Sequence, residues 1–154
     1  MDMSPEAWQT SSDPPAMIRW LAGRDGFTDV LWDFTADCLR RVFDELPGES
    51  FRRVVRHFRE VGVADLDDLL HDADAALRKL RRRAARCDDD AELARLNVAI
   101  GRGEMVFALE RRAPEEVAAD ISRRLIEWAS DPSAERVRQA NVLRGLVDAA
   151  SWGR

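Results

Sequence analysis

The segment around His71 holds the side chains that come nearest to a metal site in this sequence. Asp67, His71 and Asp74 are spaced i, i+4 and i+7, so they share one face if the segment is helical. A hard cation needs several oxygen ligands that converge on one point, and two or three ligands could converge on this face. Acidic residues in the first turns of a helix also offset the positive end of its dipole. We favour this second interpretation and expect no metal ion or cofactor, and we keep an enzyme or metal protein around His71 as an alternative.

The densest basic run follows on the same predicted helix. Guanidinium groups suit bidentate contacts with phosphate, so the run could bind nucleic acid, and an acidic partner protein could use it as well. A helix that begins with aspartates and ends with arginines is also typical of a solvated helix whose charges complement its dipole. We favour the solvated face and keep both binding interpretations as alternatives for a patch of six residues: Arg78, Lys79, Arg81, Arg82, Arg83 and Arg86.

Two glycines, Gly101 and Gly103, lie inside the fifth predicted helix. They do not indicate a phosphate-binding loop, because no predicted strand precedes them and no Gly-Lys-Ser/Thr motif follows. Gly103 lies on the inward apolar stripe, where a neighbouring helix could approach closely; alternatively, the pair permits a kink. The sequence also has no Gly-x-Ser-x-Gly motif, and neither histidine has a Ser or Cys companion near it in sequence. We therefore predict no catalytic residue and favour a protein that is not an enzyme.

The composition is that of one folded domain of common size. Hydrophobic residues make up 45% and charged residues 34% of the 154 residues, which is too hydrophobic for a disordered chain. The formal net charge of −5 argues against a general binder of nucleic acid or of membrane surfaces. The charge is polarised, because residues 1–77 hold 8 basic and 16 acidic side chains whereas residues 78–154 hold 16 and 13. We see no signal peptide or membrane-spanning run and predict a cytoplasmic protein.

Apolar residues repeat with a helical period along most of the chain, and no alternating run predicts a strand. Several expected helix starts carry an aspartate cap or a proline, whose missing N–H costs nothing in the first turn. Residues 1–12 are predicted to be a leader with at most a short turn. Seven helices are predicted after it: 14–22, 28–46, 50–61, a fourth that Asp65 caps, 91–111, and two that open at Pro114 and Pro132.

The second predicted helix, about Thr28 to Leu46, has the widest apolar face. Two adjacent stripes, one through Phe34 and Cys38 and the other through Leu39, span an arc of roughly 200°, against about 100° for an ordinary surface helix. This width predicts the central helix of a bundle, with Cys38 as a buried thiol. Neither Cys38 nor Cys87 belongs to a Cys-x-x-Cys pair or to a zinc-type spacing.

The fifth predicted helix has a second apolar stripe, nearly opposite its inward one. Val98, Met105 and Leu109 lie close together on a helical wheel at 100° per residue. A helix with apolar stripes on opposite sides lies between two layers or offers one side to a partner. Methionine suits an adaptable contact because it is flexible and polarizable. We favour coverage of this stripe by the sixth or seventh helix and keep a partner-binding stripe at these three residues as the alternative.

Several segments together resemble a group of uncharacterised bacterial all-helical proteins. Their N-termini combine a Trp, an Asp-Pro pair, a Met-x-x-(Trp/Phe)-Leu segment, and then a helix with an aromatic residue, a Cys and an Arg-Arg pair. Here the matching positions are Trp8, Asp13-Pro14, Met17 to Leu21, Phe34, Cys38 and Arg40-Arg41, with Gln139 to Arg144 similar to the group's C-terminal end. The resemblance covers about half of the chain and implies no activity.

Together these observations predict an all-α protein, a compact bundle of six or seven helices around the central second helix, with a single helical domain over residues 13–152. The absence of a catalytic set beside surplus apolar stripes favours a non-catalytic protein-interaction or assembly module. Its partner would be protein, either a second copy or another chain, rather than nucleic acid or a membrane. The alternatives are a nucleic-acid-associated regulator that uses Arg78–Arg86 and the enzyme or metal protein around His71.

Overall fold

A computed structural model describes residues 3–24 and 26–152, with side chains described as far as residue 148. This part of the chain is all helical and contains no strand, which confirms the predicted all-α class. Its eight α-helices are α1 (Pro5–Thr10), α2 (Pro14–Ala22), α3 (Thr28–Arg41), α4 (Glu49–Val61), α5 (Asp67–Ala85), α6 (Asp90–Met105), α7 (Pro114–Trp128) and α8 (Pro132–Trp152). Two 3₁₀ segments, Phe43–Glu45 and Val106–Arg111, follow α3 and α6.

Side-chain caps begin several helices where the sequence predicts them. Asp13 accepts a hydrogen bond from the N–H of Ala16 at the start of α2 (3.3 Å), and the Asp131 side chain caps α8. The start of α5 differs from the prediction that Asp65 caps it. Asp65 has a left-handed backbone (φ 58°), and Leu66 stands before the helix without a side-chain cap bond. The turn that follows α4 places the aspartate two residues before the helix, which is too early for a cap.

Two predicted helices end earlier than the apolar pattern indicates. α3 ends at Arg41 rather than at Leu46, and α6 ends at Met105 rather than at Arg111. In both cases the chain continues into a 3₁₀ segment, which turns by about 120° per residue instead of about 100°. The stripe through Phe34 and Cys38 is nevertheless buried, and so is Leu39 of the second stripe. Cys38 is thus a buried thiol, as predicted.

The described chain forms two compact units, one from residues 1–38 and 112–154 and the other from residues 39–111. In the first unit α2 packs against α7 and α8, and α7 packs against α8. Between α7 and α8 the buried hydroxyl of Ser122 donates a hydrogen bond to Oε1 of the buried Gln139 (2.5 Å). The prediction of one helical domain over residues 13–152 stays a prediction.

The predicted leader contains a helix of this first unit. Ser4, Pro5 and Glu6 begin α1 with the same cap-and-proline signal that begins α2, and the Ser4 hydroxyl accepts a hydrogen bond from the N–H of Ala7 (3.1 Å). Trp8 is only 5% exposed. Arg144 of α8 donates hydrogen bonds to the backbone carbonyls of Trp8 and Ser11, at 3.0 and 2.8 Å. These carbonyl groups lie at the C-terminal end of α1, where backbone carbonyls have no partner within the helix. Arg144 therefore joins the end of α1 to α8.

In the second unit α5 packs against both α4 and α6, and the 3₁₀ segment after α6 contacts α4 and α6. α6 comes close to its neighbours at Gly103. A Cβ atom on this glycine would lie 2.9 Å from Cε1 of Phe51 and 3.3 Å from Cδ1 of Leu77. The expectation that Gly103 permits a close helix approach is thereby confirmed.

Candidate functional site

The basic residues predicted as a patch are all exposed, but they divide into two sets by their contacts. Three of them form ion pairs: Arg78 with Asp74 (3.1 Å), Arg81 with Glu104 (3.3 Å) and Arg83 with Glu92 (3.5 Å). The other three, Lys79, Arg82 and Arg86, have no acidic partner within 4 Å in the part of the chain that the structure describes. The predicted patch is thus partly neutralised, and its unpaired charge lies at three positions.

The unpaired cations line a groove of about 510 Å³ in the second unit, which we call the basic groove. Its floor includes the nearly buried Leu96 of α6 and the half-buried Cys87. One carboxylate, that of Glu92, belongs to its wall. The complete lining consists of Lys79, Arg82, Arg83, Arg86, Cys87, Glu92 and Leu96.

The local sequence explains why the groove forms at this place. α5 has Asp67 and Asp68 in its first turn and Arg82 and Arg83 in its last turn, so its charges complement the helix dipole. The chain then turns back sharply, because Asp89 already caps α6 by accepting hydrogen bonds from two backbone N–H groups. The C-terminal turns of α5 therefore lie beside the first turns of α6.

The side chains that line the groove are mainly exposed cations. Its cations are exposed, and the Cys87 thiol donates a hydrogen bond to the carbonyl of Asp89 (3.3 Å). Neither histidine belongs to the lining. The guanidinium groups and the Lys79 ammonium can donate hydrogen bonds to a negatively charged guest, whereas the one S–H of Cys87 is already donated to Asp89. The lining has no paired nucleophile and base.

The residues predicted as a partner-binding stripe do not form one surface. Val98 is 56% exposed, whereas Met105 and Leu109 are 0% exposed. Leu109 lies in the 3₁₀ segment, so its direction no longer follows the wheel of an α-helix. Met105 lies at the end of α6, directly before that segment turns back against α4 and α6. The partner-binding alternative for this stripe is therefore wrong as a surface patch, and of the three residues only Val98 is accessible.

The acidic residues around His71 are not gathered into a metal site. His71 is exposed, and Asp74 forms its ion pair with Arg78 rather than turning to the histidine. Within residues 3–24 and 26–148, no three His, Cys, Asp or Glu side chains come together in an arrangement that could hold a metal ion. His57, the other histidine, contacts the carbonyl oxygen of Ala64 through Nε2 (2.6 Å).

The sequence reasoning missed a second cavity, of about 820 Å³, between α1 and α2. We call it the N-terminal cavity. It is lined by residues of both helices and of the segments beside them: Met3, Ser4, Ala7, Ala16, Arg19, Trp20, Gly23 and Arg24. The sequence signal for it is the helix start at Ser4-Pro5-Glu6. A short helix there lies next to α2 in sequence, and the cavity is the space between the two helices.

No protein-family model, curated protein or solved structure matches this chain. In the described part of the chain, no helix combines the length and the apolar character that crossing a bilayer requires.

Proposed function

We propose that this protein is a non-catalytic interaction module whose basic groove binds an acidic segment of a partner protein. The observation that supports the proposal is the set of unpaired cations, Lys79, Arg82 and Arg86, around a groove with an apolar floor. A folded protein gains little from exposed cations that pair with nothing, and an incoming carboxylate could pair with each of them.

The charges next to the groove favour an acidic peptide over nucleic acid. Asp88, Asp89 and Asp90 are exposed and follow the groove residue Cys87 directly, and Glu92 is part of the wall. A duplex carries one phosphate charge per about 1.7 Å of its axis and would be repelled wherever it passes these carboxylates. A peptide can place its acidic residues opposite the cations alone, and an apolar residue between them can contact Leu96.

Such binding is expected to be weak and sensitive to salt. Exposed ion pairs contribute about 0.2–1 kcal/mol each, and charges are screened over about 8 Å at physiological ionic strength. The test therefore uses a short fluorescein-labelled peptide of glutamates interrupted by leucines, with fluorescence anisotropy as the measurement. The same titration is made with a lysine–leucine peptide and with labelled single-stranded DNA.

The informative variant combines Lys79→Gln, Arg82→Gln and Arg86→Gln. Its matched control combines Arg53→Gln, Arg59→Gln and Arg138→Gln, which removes the same charge from exposed positions elsewhere. We expect the acidic peptide to bind the unmodified protein and the control, and to lose its affinity for the groove variant. Equal loss in both variants, or no binding of the acidic peptide, would refute the proposal. Tighter binding of DNA than of the peptide at the groove would replace it by the nucleic-acid alternative.

A further inference from the structure

The N-terminal cavity is a second place where cations lack acidic partners among the described residues, and it lies within the first unit. Arg19 and Arg24 line it, both are exposed, and neither has a carboxylate within 4 Å among the described residues. None of the described lining residues is acidic. This is notable because residues 1–77 hold twice as many acidic as basic side chains, 16 against 8.

Aromatic side chains hold one of these arginines in place. The Arg24 guanidinium carbon lies 4.0 Å from the centre of the Trp20 ring, and Trp20 in turn lies 4.9 Å from Trp8, centre to centre, at an interplanar angle of 33°. A guanidinium group on an indole face is stabilised by the ring quadrupole and keeps its N–H groups free for an anion. Because Trp8 is nearly buried and Arg144 bonds to its carbonyl, this side of the cavity rests on an anchored helix.

Apart from Ser4 and Gly23, the remainder of the wall is apolar, and the cavity is of suitable size for a small molecule. Met3, Ala7 and Ala16 add small or flexible apolar surface beside the Trp20 ring. A volume of about 820 Å³ lies within the range of roughly 300–1,000 Å³ in which small-molecule sites fall. Two cations beside an aromatic and apolar wall are complementary to a ligand with one anionic end and a flat apolar body.

We propose that the N-terminal cavity binds a small aromatic carboxylate. The carboxylate accepts hydrogen bonds from the guanidinium groups of Arg19 and Arg24. A single guanidinium group can donate two parallel N–H···O bonds to a carboxylate. The aromatic body lies along Met3, Ala7 and Ala16. This site is independent of the basic groove, which belongs to the other unit, so either proposal can fail without the other.

The test uses 2-naphthoate as the probe and isothermal titration calorimetry as the measurement. The neutral 2-naphthalenemethanol has the same ring system without the charge and serves as the ligand control. Arg19→Gln and Arg24→Gln remove the cations one at a time, and Arg59→Gln, an exposed arginine of α4, is the matched protein control. Ala7→Phe fills the cavity from α1. Circular dichroism checks that each variant is folded.

We expect 2-naphthoate to bind the unmodified protein and Arg59→Gln with the same affinity. Loss of one charged hydrogen-bonding partner should weaken binding by about tenfold or more in Arg19→Gln and in Arg24→Gln. Ala7→Phe should abolish binding in a folded protein. The absence of saturable binding, equal affinity for the neutral alcohol, or unchanged affinity in both arginine variants would overturn the proposal.

Discussion

Gly103 of α6 lies directly against the ring of Phe51 of α4, so that a Cβ atom added at the glycine would come within 2.9 Å of Cε1. Phe51 is fully buried, and its ring therefore has little room to move away. We expect Gly103→Ala to destabilise the protein by about 1–3 kcal/mol through overpacking, less the gain of up to about 1 kcal/mol that alanine brings to a helix. Urea unfolding followed by circular dichroism measures this change.

Gly145 is the matched control for that substitution. It lies inside α8, it is exposed, and an added Cβ atom would meet nothing within 4 Å. Gly145→Ala should therefore stabilise the protein, by up to about 1 kcal/mol. Equal effects of the two substitutions would show that helix propensity, rather than contact with Phe51, determines the result at Gly103.

A negative charge is expected to destabilise the fold strongly at Met105 and hardly at all at Val98. Met105→Glu places a carboxylate at a fully buried position and should destabilise the fold by several kcal/mol, whereas Val98→Glu, at a position 56% exposed, should change stability by no more than about 0.5 kcal/mol. Thermal unfolding of the two variants side by side is the measurement. A folded Met105→Glu protein of normal stability would mean that this methionine is not in the core.

The two apolar stripes of α3 should both contribute to stability. Phe34→Ala and Leu39→Ala remove fully buried side chains, and each should cost about 2–5 kcal/mol. Val61→Ala, at a position 60% exposed, is the control and should cost less than about 0.5 kcal/mol. A loss below the control value at both buried positions would contradict the buried face of α3.

The hydrogen bond between Ser122 and Gln139 should be measurable as a coupling. Ser122→Ala leaves Oε1 of the buried Gln139 without the hydroxyl donor, which should cost about 1–3 kcal/mol. In a Gln139→Met background the same substitution should cost much less, because the acceptor is gone. A double-mutant cycle by urea unfolding gives the coupling free energy, and a value near zero would mean that the two side chains act independently.

Glu49 should show a pH-dependent contribution that Arg56 controls. The Arg56 guanidinium donates a hydrogen bond to Glu49 (2.6 Å), and this bond is the main reason why the pKa of Glu49 is lowered. The stabilisation is therefore present above the ordinary carboxyl pKa and is lost as the pH falls through the lowered pKa of the folded state. Arg56→Gln should raise the pKa of Glu49 in an NMR titration, and its effect on stability should vanish at acidic pH. An unchanged pKa would contradict the pairing.

Much of the helical architecture could be predicted, because its determinants are local. Asp13-Pro14 and Asp131-Pro132 mark two helix starts through cap and proline chemistry, which depends on neighbouring residues alone. Gly103 could also be assigned to a close approach, since it interrupts an apolar stripe. The helix ends were harder to predict, because the choice between another α-turn and a 3₁₀ segment depends on packing that periodicity does not record.

The candidate sites were predicted less well than the helices. The basic residues of α5 were visible as a run, but ion pairing with Asp74, Glu104 and Glu92 decides which cations remain unpaired, and two of these partners lie on α6. The N-terminal cavity forms only where α1 and α2 pack together, and the residue pattern of either helix alone does not predict that packing. Leu109 illustrates the same limit. An α-helical wheel places it on an outer stripe, but the α-helix ends at Met105 and Leu109 is buried in the 3₁₀ segment that follows.

The hydrogen bonds from Arg144 to Trp8 and Ser11 join residues 136 and 133 positions apart, whereas α4, α5 and α6 pack against their neighbours in sequence. Contacts of such different sequence separation form at different rates, because closing a long loop costs entropy before any contact repays it. During synthesis from the N-terminus, the unit of residues 39–111 has all of its helices before α7 and α8 are made. Until α7 and α8 have been made, α2 lacks the two helices it packs against and α1 lacks its hydrogen bonds to Arg144.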